Sequence, residues 1–186
     1  MKDFGKLYFL NEGIAEAEFE KDLARSLFLI YTSVDARGIK QRSSQSGSGF
    51  MGHKPITAGL LDGLHAFESF PDWFSQSDLD YLVSQFMLSG KRGPYNRYRA
   101  QNIDWHELAH LEGALIEQPA FFITGELDLV SQFVPLSTSF IDHIKHNYRN
   151  LIMAEELPNV GHWTAEEAPE AVNRIILQFL SAIEHG

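Results

Sequence analysis

PAFFITGELD, residues 119–128, and LIMAEELPNVGHWT, residues 151–164, are the two stretches that decide the fold of this chain. Each is a short apolar run that ends at a Gly or Pro turn signal, which is typical of a buried strand. We predict one strand over Pro119–Thr124 and another over Leu151–Ala154, with a helix at roughly Val134–Asn147 between them. Strand, helix and strand at this spacing predict a βαβ unit with parallel strands.

One acidic and one imidazole side chain follow the two predicted strands. Asp128 lies just beyond the turn at Gly125, and His162 follows Gly161. Functional residues gather at the carboxyl ends of parallel strands, so we expect these two side chains to meet. An Asp that accepts a hydrogen bond from one ring nitrogen fixes the tautomer, and the other nitrogen can then act as a base. The pair predicts the orienting half of a catalytic triad, and separate structural roles are the alternative.

Composition restricts the class of protein. The chain has 186 residues, of which 44% are hydrophobic and 22% charged, and its net charge is −10. Such an acidic chain argues against a nucleic-acid or anionic-membrane partner. No apolar run approaches the ~20 residues of a membrane span, and Met1–Leu10 lacks the apolar core of a signal peptide. The absence of cysteine is compatible with a reducing compartment, so we expect a cytoplasmic protein.

Apolar periodicity and capping residues predict further helices. They lie over Glu12–Tyr31, from a cap at Ser77 to Gly90, over Asn96–Leu108 and over Glu166–Glu184, with Pro169 in the first turn of the last. Gly93-Pro94 is expected to break the chain before the third of them. Tyr98 should then lie near the start of that helix.

Two short motifs suggest a bound ion or phosphate, and each has a plainer explanation. The run from His106 to His110 matches the His-Glu-x-x-His zinc motif, but no third ligand follows at a usual spacing. We expect a solvated helix face there and no metal. The small polar run Ser43–Gly49 lacks the Gly-Lys-Ser/Thr end of a phosphate-binding loop, and we expect a flexible loop. No cofactor is predicted.

Four motifs, in order along the chain, resemble the epoxide hydrolase branch of the α/β-hydrolase superfamily. Tyr8-Phe9, with GIAEAE at 13–18, resembles the opening of the helical cap domain of these enzymes. GPYNRYR at 93–99 resembles the cap segment that carries a ring-opening tyrosine. GELD at 125–128 and GHWT at 161–164 resemble the C-terminal end of the hydrolase domain.

The resemblance implies the α/β class, with a helical cap domain at 1–112 and a partial α/β-hydrolase domain at 113–186. It implies conversion of a small apolar epoxide to a vicinal diol in the complete enzyme. In this family an Asp nucleophile forms an ester with the epoxide. The resemblance then implies that Tyr98 donates to the epoxide oxygen and that His162, oriented by Asp128, activates water. Dehalogenation or ester hydrolysis is the alternative within the same fold.

Two departures from the family pattern limit what the chain can do alone. Gly5 occupies the position of an expected second tyrosine, for which Tyr8 and Tyr95 are the available substitutes. No Gly-x-Asp-x-Gly or Gly-x-Ser-x-Gly nucleophile elbow occurs, and the His-Gly-x-Pro signature is absent. We therefore expect this chain to be inactive alone and to need a missing N-terminal half or a homodimer partner. A non-catalytic interaction module is the hypothesis from another class.

Overall fold

The chain forms two compact units. A computed structural model describes residues 8–43, 58–133 and 138–184, with only the backbone described at 132 and 133. The first unit contains Met1–Ser33 and Gln41–His110, and the second contains Val34–Lys40 and Leu111–Gly186. The second unit thus includes a segment from the N-terminal half of the chain. Gly5 and residues 44–49 of the predicted loop lie outside the described residues.

The N-terminal part of the chain is helical over much of its described length. Its elements are α1 (Ile14–Glu20), α2 (Leu23–Val34), α3 (Ala36–Ser43), α4 (Gln76–Ser89), α5 (Arg92–Arg99), α6 (Gln101–Glu107) and a 3-10 helix over Ala109–Leu111. Apolar side chains from these helices and the connecting segments form the core of the first unit. Its described buried members are Phe9, Ala15, Phe19, Leu27, Leu60, Phe74, Leu79 and Tyr95.

The prediction of a single helix over Glu12–Tyr31 is wrong, because α1 and α2 are separate helices. The side chain of Asp22 accepts a hydrogen bond from the backbone N–H of Arg25 at 3.1 Å. A short acidic side chain that binds the N–H three residues later stabilises a new helix start. The apolar periodicity continues through this position, so the pattern alone does not reveal the break.

The start of α4 also differs from its prediction. Ser75, not Ser77, is the N-cap, and its hydroxyl accepts from the N–H of Asp78, whose side chain accepts from the N–H of Ser75 in return. This reciprocal pair is a capping box, which needs an acid three residues after the cap. Ser75 and Ser77 are each followed three residues later by an aspartate, Asp78 and Asp80, so only the structure identifies Ser75 as the cap. Gly90 is the C-cap, as predicted.

Gly93-Pro94 does not break the chain, which corrects another prediction. Both residues lie in the first turn of α5, where proline is tolerated because N–H groups of a first turn have no partner within the helix. Tyr98 consequently lies in the last turn of α5 rather than near a helix start. A second helix, α6, follows directly after Ala100.

The zinc motif does not lie on one continuous α-helix. The helix α6 ends at Glu107, and His110 belongs to the short 3-10 helix that follows. The Nδ1 atom of His110 lies 3.0 Å from the carbonyl oxygen of Glu107. Among the described residues, no group of three His, Cys, Asp or Glu side chains is arranged to hold a metal ion.

The second unit is built on two parallel strands, as predicted. Strand β1 covers Ala120–Gly125 and strand β2 covers Leu151–Leu157. They pair in parallel from Phe121 beside Met153 to Gly125 beside Leu157, with a register irregularity between Ala120 and Phe121. The carboxyl ends of both strands therefore lie at the same edge of the sheet.

The helices of the second unit are shorter or more divided than predicted. Between the strands are a 3-10 helix over Leu129–Phe133 and α7 (Phe140–Lys145); residues 134–137 of the predicted helix lie outside the described residues. After β2 come α8 (Thr164–Glu167) and α9 (Pro169–Glu184). The predicted last helix is split at Ala168, because a residue that precedes proline is disfavoured in helical geometry.

The sheet of the second unit has apolar contacts on both faces. On one face, Ile175 of α9 is fully buried against the strands, and the rings of Phe121 and Phe179 lie 4.8 Å apart. On the other face, Phe122 lies 6.0 Å from Phe140 of α7. Successive residues of a strand point to opposite faces, which explains why neighbours in β1 meet different helices. No described helix is long and apolar enough to cross a membrane.

Candidate active site

Asp128 lies on a tight turn at the carboxyl end of β1. Its backbone N–H donates to the carbonyl of Gly125 at 3.0 Å. Its carboxylate atom Oδ1 accepts from the N–H of Val130 at 3.0 Å, at the beginning of the 3-10 helix. Backbone contacts on both sides therefore fix the carboxylate close to the strand end.

The loop after β2 is hydrogen-bonded to the same turn. The N–H of Glu126 donates to the carbonyl of Leu157 at 2.9 Å, and the N–H of Leu127 donates to that of Val160 at 2.9 Å. The carboxylate of Glu126 accepts from the N–H of Asn159 at 2.8 Å. These bonds extend the contact of the two strands beyond their ends and bring the two site loops together.

Two glycines allow these loops to approach closely. A Cβ atom at Gly125 would lie 2.3 Å from the carbonyl oxygen of Val160 and 2.4 Å from that of Gly161. A Cβ atom at Gly161 would lie 2.5 Å from the backbone nitrogen of Ala36. Both glycines are thus required by backbone contacts rather than by unusual dihedral angles.

His162 and Asp128 form a hydrogen-bonded pair. Nδ1 of His162 lies 2.9 Å from Oδ1 of Asp128, and the two side chains are 36% and 14% exposed. With the Nδ1 proton donated to the carboxylate, the lone pair of the neutral ring is on Nε2. The hydrogen bond to Asp128 raises the pKa of His162 above its ordinary value, although burial lowers it. The pair can therefore accept a proton and stabilise the resulting imidazolium.

Asp128→Asn should lower the pKa of His162, because it removes the group that raises this pKa most. The direction of this pKa shift also determines how the free energy of unfolding depends on pH. A histidine whose pKa is raised by folding stabilises the protein below its unfolded-state pKa of about 6.5, and this contribution is lost as pH rises through the folded pKa. Asp128→Asn should therefore lower the free energy of unfolding more at pH 5.5 than at pH 9, because the lost contribution comes from protonated His162.

Titration of the histidine ring signals by NMR, together with urea unfolding at both pH values, measures this effect. Glu170→Gln is the control, because it removes an exposed carboxylate of α9 that is not among the main groups acting on the pKa of His162. An unchanged His162 pKa in Asp128→Asn would contradict the assigned pairing.

Glu167 is a residue of the site loop that sequence analysis did not single out. Its carboxylate accepts backbone hydrogen bonds from Gly161, Trp163 and Ala36. Burial raises the pKa of Glu167, while these N–H groups lower it. The sequence does contain one signal, an acidic residue in the first turn of the helix after His162, where such residues often reach back to free N–H groups.

Tyr98, the proposed donor to the epoxide oxygen, lies on α5 in the first unit. The ring of Phe9 stacks between Tyr98, at 4.4 Å, and Tyr95, at 5.1 Å. The side chain of Tyr98 is 37% exposed. The ring of Phe9 therefore packs against Tyr98, while part of the Tyr98 side chain stays accessible.

The two candidate substitutes for the expected second tyrosine are engaged or enclosed. The hydroxyl of Tyr8 donates to the carboxylate of Glu18. Tyr95 is 5% exposed, its hydroxyl has no hydrogen-bond partner among the described residues, and burial raises its pKa. The hydroxyl of Tyr8 is therefore paired with Glu18, and that of Tyr95 is buried.

Comparison with known proteins identifies the fold. No family model matches the chain. A solved epoxide hydrolase from an endophytic Streptomyces superposes with a TM-score of 0.86 at 32% identity, over 98% of this chain and 53% of that one. Epoxide hydrolase A from Mycobacterium thermoresistibile gives a TM-score of 0.76 at 29% identity, over 95% of this chain and 51% of that one. The chain therefore corresponds to about half of an α/β-hydrolase fold, and the predicted fold class, a helical cap with the C-terminal portion of the sheet, is confirmed.

Within that fold, the relatives of this chain are epoxide hydrolases. It is 32% identical to epoxide hydrolase A of Mycobacterium tuberculosis over 96% of its own length and 52% of the relative's. It is 36% identical to epoxide hydrolase B of the same organism over 68% of its length and 35% of the relative's. The chain thus spans about half or less of the relatives that it matches, in agreement with the predicted resemblance to their C-terminal part.

Proposed function

We propose that this chain supplies the cap and the acid–base residues of an epoxide hydrolase, which converts an epoxide to a vicinal diol in the complete enzyme. The single observation that carries the proposal is the 2.9 Å contact between Nδ1 of His162 and Oδ1 of Asp128. Epoxide hydrolysis fits it because the second half of that reaction needs a base that removes a proton from water. A histidine with its tautomer fixed by a carboxylate meets this need.

Each proposed residue has one role. An Asp nucleophile outside this chain attacks an epoxide carbon, the carbon–oxygen bond breaks, and the phenol of Tyr98 donates its proton to the ring oxygen. The product is a hydroxyalkyl ester of the nucleophile. Water then attacks the ester carbonyl while Nε2 of His162 takes a proton from it, and Asp128 stabilises the imidazolium. The carboxylate of the nucleophile and the diol are released, and the imidazolium proton returns through solvent to the phenolate of Tyr98, which restores both residues.

The proposed partners follow from the same chemistry. The substrate is a small apolar epoxide, and the nucleophile comes from an N-terminal half or from another chain. A net charge of −10 disfavours nucleic acid as a partner. A cytoplasmic location is part of the proposal, because the reaction and the cysteine-free sequence are both compatible with a reducing compartment.

A chimera tests the proposal. The N-terminal half of the Streptomyces epoxide hydrolase, fused to this chain, should hydrolyse styrene oxide, while this chain alone should not. Activity of the chimera should fall on the order of 100-fold or more in Asp128→Asn, which removes the group that orients the base. Turnover of a haloalkane or an ester but of no epoxide would reassign the reaction within the fold. A folded chimera without hydrolase activity would instead favour a non-catalytic interaction module.

A further inference from the structure

The backbone around His162 is held at three successive N–H groups. The N–H of Gly161 donates to Oε2 of Glu167 at 3.0 Å, and the N–H of Trp163 donates to Oε1 of the same carboxylate at 3.1 Å. The N–H of His162 itself donates to the carbonyl oxygen of Val34 at 3.0 Å. The residue that bears the imidazole is therefore fixed on both sides and at its own nitrogen.

The same carboxylate also binds a distant part of the chain. Oε2 of Glu167 accepts from the N–H of Ala36 at 3.0 Å, across a sequence separation of 131 residues. Ala36 is the first residue of α3, where the N–H has no partner within the helix, so an acidic side chain is well suited to bind it. Gly161 approaches this nitrogen too closely to carry a side chain. Glu167 thus joins the His162 loop to the segment 34–36 of the same unit.

We propose that Glu167 is the positioning residue of His162. Its two carboxylate oxygens hold the N–H groups on either side of the histidine and anchor them to Ala36, which sets the direction of the imidazole toward Asp128. The catalytic meaning of this role rests on the proposed function, but the geometric claim does not. A displacement of about 1 Å in a catalytic group can cost on the order of 100-fold in rate, so loss of the contacts that hold His162 should slow the reaction strongly.

Glu167→Gln is a selective change because of the number of acceptors. Glutamine has one acceptor oxygen, whereas the three N–H groups are divided between two oxygens of the glutamate. In either orientation the amide NH₂ faces at least one backbone donor, so at least one of the three bonds is lost. Glu166→Gln is the matched control, because it removes the same charge from the preceding residue, which is exposed.

NMR of the 186-residue chain tests the positioning role without any activity. The Nδ1 proton of His162, assigned with a His162→Gln variant, should give a low-field signal in wild type that reports its hydrogen bond to Asp128. We expect Glu167→Gln to reduce this signal at least twofold and to increase amide exchange at Gly161, Trp163 and Ala36. Glu166→Gln should leave both unchanged. An unchanged Nδ1 signal in a folded Glu167→Gln protein, or an equal loss in Glu166→Gln, would overturn the proposal.

A second variant covers the case in which Glu167→Gln fails to fold. Glu167→Asp keeps both acceptor oxygens on a side chain one methylene shorter, and we expect a weakened but detectable Nδ1 signal. A signal as strong as that of wild type would overturn the role. In the chimera, Glu167→Gln should lower kcat about 10- to 100-fold while KM changes little. If the chimera hydrolyses no epoxide at all, the proposed function fails, and the NMR result still decides the positioning role.

Discussion

Gly125→Ala should destabilise the second unit by about 3 kcal/mol, the upper end of the range for overpacking. The new Cβ would lie 2.3 Å from the carbonyl oxygen of Val160 and 2.4 Å from that of Gly161, distances that real Cβ atoms essentially never show. Both neighbours are backbone atoms, which cannot rotate away as a side chain does. The loop that carries His162 would have to move, so the hydrogen bond to Asp128 should be lost together with stability.

Urea unfolding and the Nδ1 proton signal of His162 measure the two parts of this prediction. Gly93→Ala is the control, because a Cβ at Gly93 would meet nothing within 4 Å and the backbone there is not left-handed. Gly93 lies in α5, where alanine should be neutral or stabilising by up to about 1 kcal/mol. Equal effects of the two substitutions would show that helix propensity or general glycine loss, not the contact at Gly125, governs stability.

The parts of the structure that the sequence predicts well are those with a local signal. The apolar runs before Gly125 and before Pro158 predict β1 and β2, because buried parallel strands are apolar on both faces. Their common direction then places residues that follow them at one edge of the sheet. This is enough to expect Asp128 and His162 near each other, whereas their 2.9 Å hydrogen bond is known from the structure.

The misplaced helix boundaries have a different cause. A helix start depends on which of several polar residues finds the right backbone N–H, and the apolar periodicity does not distinguish them. Ser75 and Ser77 each have an aspartate three residues later, and only the structure shows that Ser75 and Asp78 form the capping box. Asp22 divides one periodic stretch into two helices by the same kind of contact.

The role of Glu167 could not be derived from the sequence alone. The residue is near His162 along the chain, but one of its partners, the N–H of Ala36, is 131 residues away. Nothing in the pattern around α3 indicates that its first turn meets the loop after β2. The glycine at 161 is visible in the sequence, yet the atom that it must approach is known only from the structure.

In the chimera, His162→Gln should stop turnover at the ester intermediate rather than before it. The proposed first step uses the Asp nucleophile and the phenol of Tyr98, and neither needs the imidazole. Hydrolysis of the ester does need a base, whose removal costs about 100- to 10,000-fold. We therefore expect each chimera molecule to consume one equivalent of epoxide and to gain the mass of that epoxide as the ester forms.

Intact-protein mass spectrometry and the burst of substrate consumption measure this outcome, and two other variants separate the roles. Tyr98→Phe should slow ester formation itself, because the epoxide oxygen loses its donor, so no adduct should accumulate. His143→Gln makes the same chemical change at an exposed histidine of α7 and should stay within about twofold of the unsubstituted chimera, as surface changes usually do. If His162→Gln turns over normally, His162 is not the base. If His162→Gln consumes no epoxide while the unsubstituted chimera is active, His162 acts before the ester forms, and the proposed order of steps is wrong.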